Sequence, residues 1–283
     1  MNKFEQMMNS FAETHQQQNF KTQKVYDVKN YFSTNIEKSE KEATKEIRIV
    51  VYDQEKFEST GQFWQEFYGH KIQINGEWKT FPCLKHEEGK DCPFCEMEQA
   101  LKSTGLESDK KKAFKEFSAK KMYILKVIER GKEKEGIKFW RFKHSGKRDG
   151  VLDKIIALWK LKGDITNPDA GRDLMISMNL SKKPNGGEYT TITAIFPDDV
   201  APLSADEAQK NAWLNDTTTW EDVYSKKPVE YLEGVALGYV PKWNGDTKKW
   251  VYGEEASVDL GGTPSAPVVD SQVDDEADED LPF

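Results

Sequence analysis

The sequence predicts a mainly β protein with a few helices (α+β), built as a β-barrel core that carries inserted segments. Six short runs are rich in β-branched and aromatic residues, and Gly-rich turn signals such as residues 184–187 separate several of them. Only three stretches have helical periodicity. That number is too small for the regular strand–helix alternation that a parallel α/β sheet requires.

The strand-like runs follow one another through the middle of the chain. They are residues 47–53, 71–76, 122–129, 137–143, 173–180 and 188–196. The helical patterns cover residues 96–117, 151–162 and 204–215. The last of these begins with Ser204 and has Glu207 three residues later, which is a capping-box pattern.

The two ends of the chain differ from this central part. In residues 1–20, four apolar side chains have a spacing that forms one stripe if the segment is helical, namely Phe4, Met7, Met8 and Phe11. Such a stripe either docks on its own domain or supports weak self-association. From Glu254 onward, Gly, Pro, Ser and carboxylates replace the aromatic residues, a composition typical of disorder. We therefore expect an N-terminal arm (1–20), a core (21–253), and a flexible linker with an acidic tip (254–283).

The net charge of −8 conceals an uneven distribution. Residues 254–283 contain ten acidic residues and no basic one, which leaves 41 basic and 39 acidic residues in 1–253, a net charge of +2. Between Lys110 and Arg148 there are fifteen basic and four acidic residues, an excess of +11. This distribution indicates a nucleic-acid partner, with the acidic segment as a separate element.

Membrane and secreted classes are not expected. No run approaches the roughly eighteen apolar residues that a membrane span needs, and the N-terminus has no continuous apolar segment of the signal-peptide kind. We expect a soluble, cytoplasmic protein. Its three cysteines are an odd number in a reducing compartment, so metal binding is favoured over a disulfide framework.

The cysteines form one compact motif. Cys92-Pro-Phe-Cys95 is a CxxC knuckle, and Cys83 lies nine residues earlier. A structural zinc site needs four ligands, so a histidine is the expected fourth, and the spacing allows either His70 or His86. Four protein ligands leave no open position for an activated water, and no phosphate-binding loop or nucleophile elbow is present. We therefore expect a single structural Zn²⁺ and no enzymatic activity.

Residues 110–148 interleave basic and aromatic side chains. Single-stranded nucleic acid binds to this mixture, because cations follow the phosphates while unpaired bases stack on flat rings. Strand alternation puts Lys138, Trp140 and Phe142 on one face, and their neighbours on the other, so these residues cannot all line one groove. The alternative is that the aromatic residues form core and the lysines a solvated face.

The chain ends in Asp-Asp-Glu-Ala-Asp-Glu-Asp-Leu-Pro-Phe, which places an apolar tripeptide on a polyanion. This combination fits a peptide that docks into partner pockets ringed by Lys or Arg, or that competes with nucleic acid for the chain's own basic groove. The residues expected to bind partners are Asp278, Glu279, Asp280, Leu281, Pro282 and Phe283.

The chain resembles the single-stranded-DNA-binding (helix-destabilising) proteins of T-even-like phages over roughly residues 60–240. The most specific part is the run His70…Asn75-Gly76-x-Trp78…Cys83…Cys92-Pro-x-Cys95, followed by Gly136…Trp140-Arg141-Phe142 and, more weakly, by the stretch from Asp164 to Pro168. The acidic tip is similar to that of bacterial single-stranded-DNA-binding proteins.

The resemblance implies an OB-fold core with an inserted zinc subdomain at about 60–120 and an electropositive cleft between them. It implies that His70, Cys83, Cys92 and Cys95 hold the metal, and that Trp140 stacks on bases while Arg141 and neighbouring lysines contact phosphates. Trp78 and Tyr123 are further stacking candidates. The complete expected DNA-binding set is Trp78, Lys111, Lys120, Lys121, Tyr123, Lys138, Trp140, Arg141, Lys143, Lys147 and Arg148.

The function expected from these features is sequence-nonspecific binding of single-stranded DNA in phage replication, recombination and repair, within the bacterial cytoplasm. The acidic tip would recruit replication and recombination proteins. The alternative is a zinc-ribbon RNA-binding protein or transcription regulator, which shares the cysteines and the basic strands but would prefer RNA or a defined sequence.

Overall fold

The computed structural model describes residues 30–36, 40–74, 77–147, 149–182, 187–223 and 226–253. The predicted N-terminal arm (1–20) and the linker with its acidic tip (254–283) lie outside these residues. Within them the chain is α+β, as the sequence predicts, and its main element is a seven-stranded sheet with antiparallel pairing between neighbouring strands.

The strands of the main sheet are β1 (Glu42–Val50), β2 (Gln65–Ile74), β3 (Glu77–Pro82), β4 (Lys120–Glu129), β5 (Lys138–Lys143), β6 (Gly171–Lys182) and β7 (Glu188–Ala201). A separate hairpin is formed by β8 (Lys242–Asn244) and β9 (Lys249–Val251). All six predicted strand runs are found, with bounds shifted by a few residues. The strand order in the main sheet is β3-β2-β4-β1-β6-β7, and β5 pairs with β4. Among the described strands, β3 and β7 pair with one neighbour each, so the hydrogen bonds do not close a barrel.

Strand β4 has three partners. Its first half pairs with β2, where Lys120 lies opposite Gly69, and its second half pairs with β1, where Glu129 lies opposite Ile47. Its other edge pairs with β5 from Met122 to Val127. The β2–β3 hairpin and the β1–β6–β7 strands are therefore both attached to β4.

The helices connect and cover the strands. They are α1 (Gln54–Thr60), α2 (Leu84–Glu88), α3 (Pro93–Ser103), α4 (Glu107–Lys112), α5 (Val151–Lys162), α6 (Glu207–Leu214), α7 (Trp220–Val223) and α8 (Val229–Ala236), with a π-helical turn at Ala113–Phe117 and a 3₁₀ turn at Glu133–Glu135. Helix α5 has the predicted bounds. No helix in the described part of the chain combines the length and the apolarity that a membrane span requires.

Two helical predictions need correction. The helix predicted over 96–117 is interrupted after α3, because Gly105 adopts a left-handed φ of 78°. The predicted Ser204–Glu207 capping box is wrong: Asp206 is the N-cap of α6, and its carboxylate accepts hydrogen bonds from the backbone N–H groups of Ala208 and Gln209. Asp206 directly precedes the first helical turn, whereas the Ser204 hydroxyl accepts from the Asp206 N–H and donates to the Gln209 side chain instead of capping a helical N–H.

Of the four apolar clusters among the described residues, the two largest are the cores that bear on the site. The larger one contains Trp140, Phe142 and Ile155 and is formed mainly by β1, β4, β5, β6 and α5. The second contains Ile72, Phe81 and Phe94 together with two of the cysteines, and falls within the segment predicted as the zinc subdomain, to which α8 adds Leu232 and Val235. Since burial of apolar surface is the main stabilising force, each core can hold its own strands in place.

Candidate metal centre and nucleic-acid interface

The second core encloses the four predicted metal ligands. His70 lies on β2, opposite Phe81 of β3, and the chain reaches Cys83 two residues after Phe81. Cys83 is the N-cap residue of α2 and Cys92 that of α3, where Pro93 begins the helix. Cys95 then lies in the first turn of α3. One hairpin and two helix starts therefore bring the four side chains together.

The ligand atoms of His70, Cys83, Cys92 and Cys95 all lie within 4.8 Å of one another. His70 Nε2 is 3.4 Å from Cys92 Sγ and 3.7 Å from Cys95 Sγ, and the Sγ atoms of Cys83 and Cys95 are 3.5 Å apart. Tetrahedral ligands at metal distances of about 2.0–2.3 Å are separated by roughly 3.3–3.8 Å. The cluster can therefore hold one metal ion in a closed four-ligand site.

A backbone carbonyl orients the His70 imidazole. His70 is fully buried, and its Nδ1 lies 2.6 Å from the carbonyl oxygen of Phe117, the last residue of the π-helical turn. Nδ1–H donates to this carbonyl, so Nε2 keeps its lone pair and points toward the sulfur atoms. Metal-binding histidines generally have such an outer hydrogen bond, which fixes the ring and its tautomer.

The thiols of the cluster influence one another. A hydrogen bond from Cys83, aided by one from His70, lowers the pKa of Cys92 to about 3. The same Cys83–Cys92 hydrogen bond, together with burial, raises the pKa of Cys83, and burial raises that of Cys95 to about 11. A metal ion bound here would favour deprotonation of all three thiols and balance the charge of the resulting thiolates.

His86, the alternative fourth ligand, lies beside the cluster. Its Nδ1 is 3.0 Å from Cys83 Sγ, and its ring stacks on Tyr68 with a centroid distance of 4.6 Å. With His70 inside the cluster, His86 is placed to donate a hydrogen bond to the Cys83 sulfur.

The segment from Cys83 to Glu87 holds Tyr68 at three points. The Cys83 N–H donates to the Tyr68 carbonyl at 2.8 Å, and the Tyr68 N–H donates to the Glu87 carboxylate at 2.7 Å. The His86 ring supplies the third contact. Residues next to the metal ligands thus position an aromatic ring on β2.

Tyr68 belongs to a half-exposed surface between the two cores, which we call the tyrosine surface: Trp64, Tyr68, Lys121, Tyr123 and His144. Lys121 pairs with Tyr68 across β2–β4, so their side chains share a face, and Tyr123 is two residues further along that face. Tyr68 packs against the second core, which holds the cysteine cluster and is called the metal-side core from here on. Tyr123 and Trp64 pack against the larger core. Aromatic rings and a cation therefore span the junction of the cores.

Side-chain contacts hold the tyrosine surface in place. The Tyr123 hydroxyl is 2.9 Å from His144 Nδ1, and Lys121 forms a 2.8 Å ion pair with Glu66. Trp64 lies edge-on to Tyr123, and among the described residues its buried Nε1–H has no acceptor.

Other predicted DNA-binding residues lie on the opposite face of the sheet. Lys143 pairs with Met122, Lys120 with Gly69, and Trp78 with Gln73, which places all three on that face. Lys120 lies 3.6 Å above the ring of Phe114. Lys111 on α4 and Lys147 after β5 are exposed. The structure thus places Lys120, Lys143 and Trp78 on the sheet face opposite Lys121 and Tyr123.

Three predictions about β5 need correction. Trp140, the first stacking candidate, is 2% exposed and packs edge-on against Phe32 and Phe142, so no base can reach its ring. Lys138 is 3% exposed and is ion-paired with Glu129 and Glu135, so it is not available to a phosphate. Arg141 is also buried, with its guanidinium over the Trp220 ring. Arg148 and residues 278–283 lie outside the described residues.

Three residues of the tyrosine surface are absent from the predicted set: Trp64 and Tyr68, which precede the cysteines, and His144, which lies within residues 110–148. The predicted set also lacks the β8–β9 hairpin, where Lys242-Trp243 and Lys248-Lys249-Trp250 have the same basic–aromatic pattern that drew attention to residues 110–148. Most of the excess positive charge lies in residues 110–148, so the short hairpin, with two tryptophans in ten residues, gives a much weaker signal in the sequence.

No protein-family model and no curated protein matches this chain.

Proposed function

We propose that the chain is a sequence-nonspecific single-stranded-DNA-binding protein with an OB-fold core and one structural Zn²⁺. The observation that carries the proposal is the tyrosine surface, where aromatic rings and Lys121 lie together on one face between the metal centre and the larger core. Stacking on rings and contact with phosphates need no defined base sequence, which suits a protein that covers any exposed strand.

The donor set supports zinc as the metal. Three thiolates and one imidazole form a common structural zinc site, and such sites stabilise folding rather than react. In this proposal the metal fixes Cys83 and the segment after it, and that segment holds Tyr68 through backbone and ring contacts. The zinc would therefore support the binding surface without contacting DNA.

The partner pairing of β4 supports an OB-fold interpretation of the core. One edge of β4 passes from β2 to β1, and a strand that changes partners along an edge allows a sheet to turn a corner. Curvature of this kind is what a small barrel requires.

In the cell, the protein would cover exposed single strands and bring other proteins to them. Binding single strands in preference to duplex would destabilise hairpins by mass action, without catalysis. The acidic tip (278–283) would recruit replication, recombination and repair proteins during phage growth in the bacterial cytoplasm. The ten acidic side chains of residues 254–283 would also compete with DNA for cationic side chains.

The test measures binding of full-length protein to oligothymidine, mixed-sequence single-stranded DNA, duplex and RNA by fluorescence anisotropy over a range of salt concentrations. We expect similar affinities for the two single-stranded DNAs, weaker duplex binding, and affinity that falls with salt. Tyr123→Ala should weaken binding about 5- to 100-fold, the equivalent of one lost stacking contact. Lys121→Ala should reduce the salt slope by about one.

Lys162→Ala is the matched control, because this exposed lysine lies at the end of α5 and belongs to no proposed surface. It should bind like the wild type. Absence of single-strand binding, or wild-type affinity of both Tyr123→Ala and Lys121→Ala, would refute the proposed site. A clear preference for RNA or for one sequence would support the regulator alternative.

A further inference from the structure

The β8–β9 hairpin presents one tryptophan to solvent and anchors the other. Trp243 pairs directly with Trp250 across the hairpin, so both rings lie on the same face, with centroids 5.7 Å apart. Trp250 is half-buried and makes an edge contact of 4.8 Å with Tyr231 of α8. Trp243 is 50% exposed. The exposed ring of Trp243 thus packs against a half-buried neighbour.

The hairpin is seated closely on α8. A Cβ atom at Gly234 would lie 2.7 Å from Tyr252 and 2.8 Å from Pro241, so helix and hairpin approach each other at a position where only glycine fits. Tyr231 also packs against Phe81 of the metal-side core, with ring centroids 6.2 Å apart. This support limits the conformational entropy that Trp243 would lose on binding a ligand.

The hairpin carries positive charge. Lys242 directly precedes Trp243, Lys249 directly precedes Trp250, and Lys248 lies in the turn; all three are exposed, and Asp246 is the one acidic residue between 242 and 251. Alternation directs Lys242 and Lys249 to the face of the hairpin opposite the tryptophans, and Lys248 lies in the turn between the strands. A flat exposed ring on one face, with cations in the turn and on the other face, complements a strand whose bases stack on the ring while its phosphates pass around the edge of the hairpin.

We propose that the β8–β9 hairpin is a second contact for single-stranded nucleic acid, in which a base stacks on Trp243 and Lys242, Lys248 and Lys249 bind the adjacent phosphates. This inference rests on the proposed function, and it adds a site apart from the tyrosine surface. A short strand would occupy one surface only, whereas a longer strand would contact both.

Nucleic acid suits this surface better than an acidic peptide does. An apolar peptide anchor such as Phe283 needs a concave pocket. The concave site beside α8 is lined by other residues, among them Leu84, Lys226 and Leu232, and the hairpin does not contribute to it. The ring of Trp243 stands on a hairpin and offers a flat stacking platform.

The test compares oligothymidines of about 6 and about 16 nucleotides, lengths that span the site sizes of small single-strand-binding domains. Full-length Trp243→Ala should bind the longer strand about 5- to 100-fold more weakly and the shorter strand like the wild type. Trp243→Phe should recover most of the loss, since it keeps a flat ring. Ultraviolet crosslinking of the longer strand, followed by peptide mapping, should identify Trp243.

Leu237→Ala is the matched control, because Leu237 is 55% exposed at the C-terminal end of α8, the helix that supports the hairpin, but has no aromatic ring. It should leave both affinities unchanged. An equal loss in Leu237→Ala and Trp243→Ala would indicate a general apolar contact and overturn the proposal. So would a Trp243 effect that disappears when residues 274–283 are deleted, which would make the acidic tip the occupant.

The two proposals fail in different ways. Wild-type affinity of Trp243→Ala for the longer strand, alongside weakened binding by Tyr123→Ala, would refute the hairpin site and leave the proposed function intact. Failure of the wild-type protein to bind either strand would refute the proposed function itself. Circular dichroism melting of each variant checks folding, and the half-exposed Trp243 is expected to tolerate substitution with little change in melting temperature.

Discussion

The imidazole of His86 lies nearly parallel to the phenol ring of Tyr68, with an angle of 11° between the ring planes. The same imidazole reaches Cys83 Sγ through Nδ1. One side chain therefore contacts both a candidate metal ligand and the surface proposed to bind DNA. Its two contacts are chemically different, a hydrogen bond and a ring stack, and substitutions can remove them separately.

We predict that His86→Phe and His86→Ala both retain the metal but differ in DNA binding. Phe keeps a ring against Tyr68 and loses the hydrogen bond to Cys83, whereas Ala loses both contacts. Both variants should show faster alkylation of Cys83, because the sulfur loses a hydrogen-bond donor. Only Ala should weaken binding of single-stranded DNA. Metal content by mass spectrometry, alkylation rates and anisotropy provide the three measurements, and loss of the metal from both variants would make His86 a ligand.

Removing a metal ligand should have a larger effect. We expect the wild type to bind about one metal ion per chain, and Cys92→Ser and His70→Ala to bind much less. Both variants should melt at a lower temperature, because the free energy of metal binding at a structural site contributes to the stability of the fold. His144→Ala serves as the control, because this histidine is exposed on the tyrosine surface. It should keep the metal. Stoichiometric metal in both ligand variants would contradict the assignment of the cluster.

The buried Glu129–Lys138 ion pair should make stability depend on pH. Burial alone would raise the pKa of Glu129, but hydrogen bonds from Lys138 and Lys132 outweigh it and lower the pKa below its ordinary value of 4.5. A carboxylate with a lowered pKa stabilises the fold above the unfolded-state pKa, and this contribution is lost as the pH falls through the folded-state value.

Glu129→Gln should therefore destabilise the protein by about 3 kcal/mol at pH 7, because Lys138 is left buried without its main partner. Near pH 3 the difference from the wild type should shrink. Glu107→Gln is the control: its ion pair with Lys110 is exposed, and such pairs contribute less than about 1 kcal/mol. Urea denaturation at both pH values tests the prediction, and a difference that stays constant with pH would count against it.

Trp140 should behave as a core residue. Trp140→Ala removes a ring that is almost completely buried, and we expect a loss of about 3–5 kcal/mol in the free energy of unfolding. Trp140→Phe should lose less. At temperatures where both variants are folded, their affinity for single-stranded DNA should match that of the wild type. A drop in affinity without a drop in stability would restore Trp140 to the binding surface.

The strands could be predicted from sequence because their side chains alternate or cluster over several residues. The burial of β5 on both of its faces could not be predicted in this way. Its strand Lys138–Lys143 is buried on both faces, since Trp140 and Phe142 enter the larger core while Phe139 packs against Trp220. Trp220 lies about eighty residues later in the chain, and no local pattern in β5 reveals that a distant segment will cover its second face.

The candidate metal site was more predictable than the proposed DNA surface for a related reason. Metal ligands must be Cys or His at close spacing, so three cysteines within thirteen residues restrict the choice to a few side chains. Contacts to bases and phosphates can come from any exposed ring or cation, and exposure is decided by tertiary structure. Lys121 and Tyr123 share a face with Tyr68 only because β2 pairs with β4 in one register.

The three partners of β4 also affect how the protein opens. Because β4 contributes hydrogen bonds to the β2–β3 hairpin and to the β1–β6 strands, its amide protons should exchange with solvent only when the sheet as a whole unfolds. The β8–β9 hairpin, with three residues in each strand and no partner in the main sheet, should exchange early. Hydrogen exchange should thus separate a slow strand shared by the two cores from a fast hairpin at the surface, and bound single-stranded DNA should slow exchange in the hairpin.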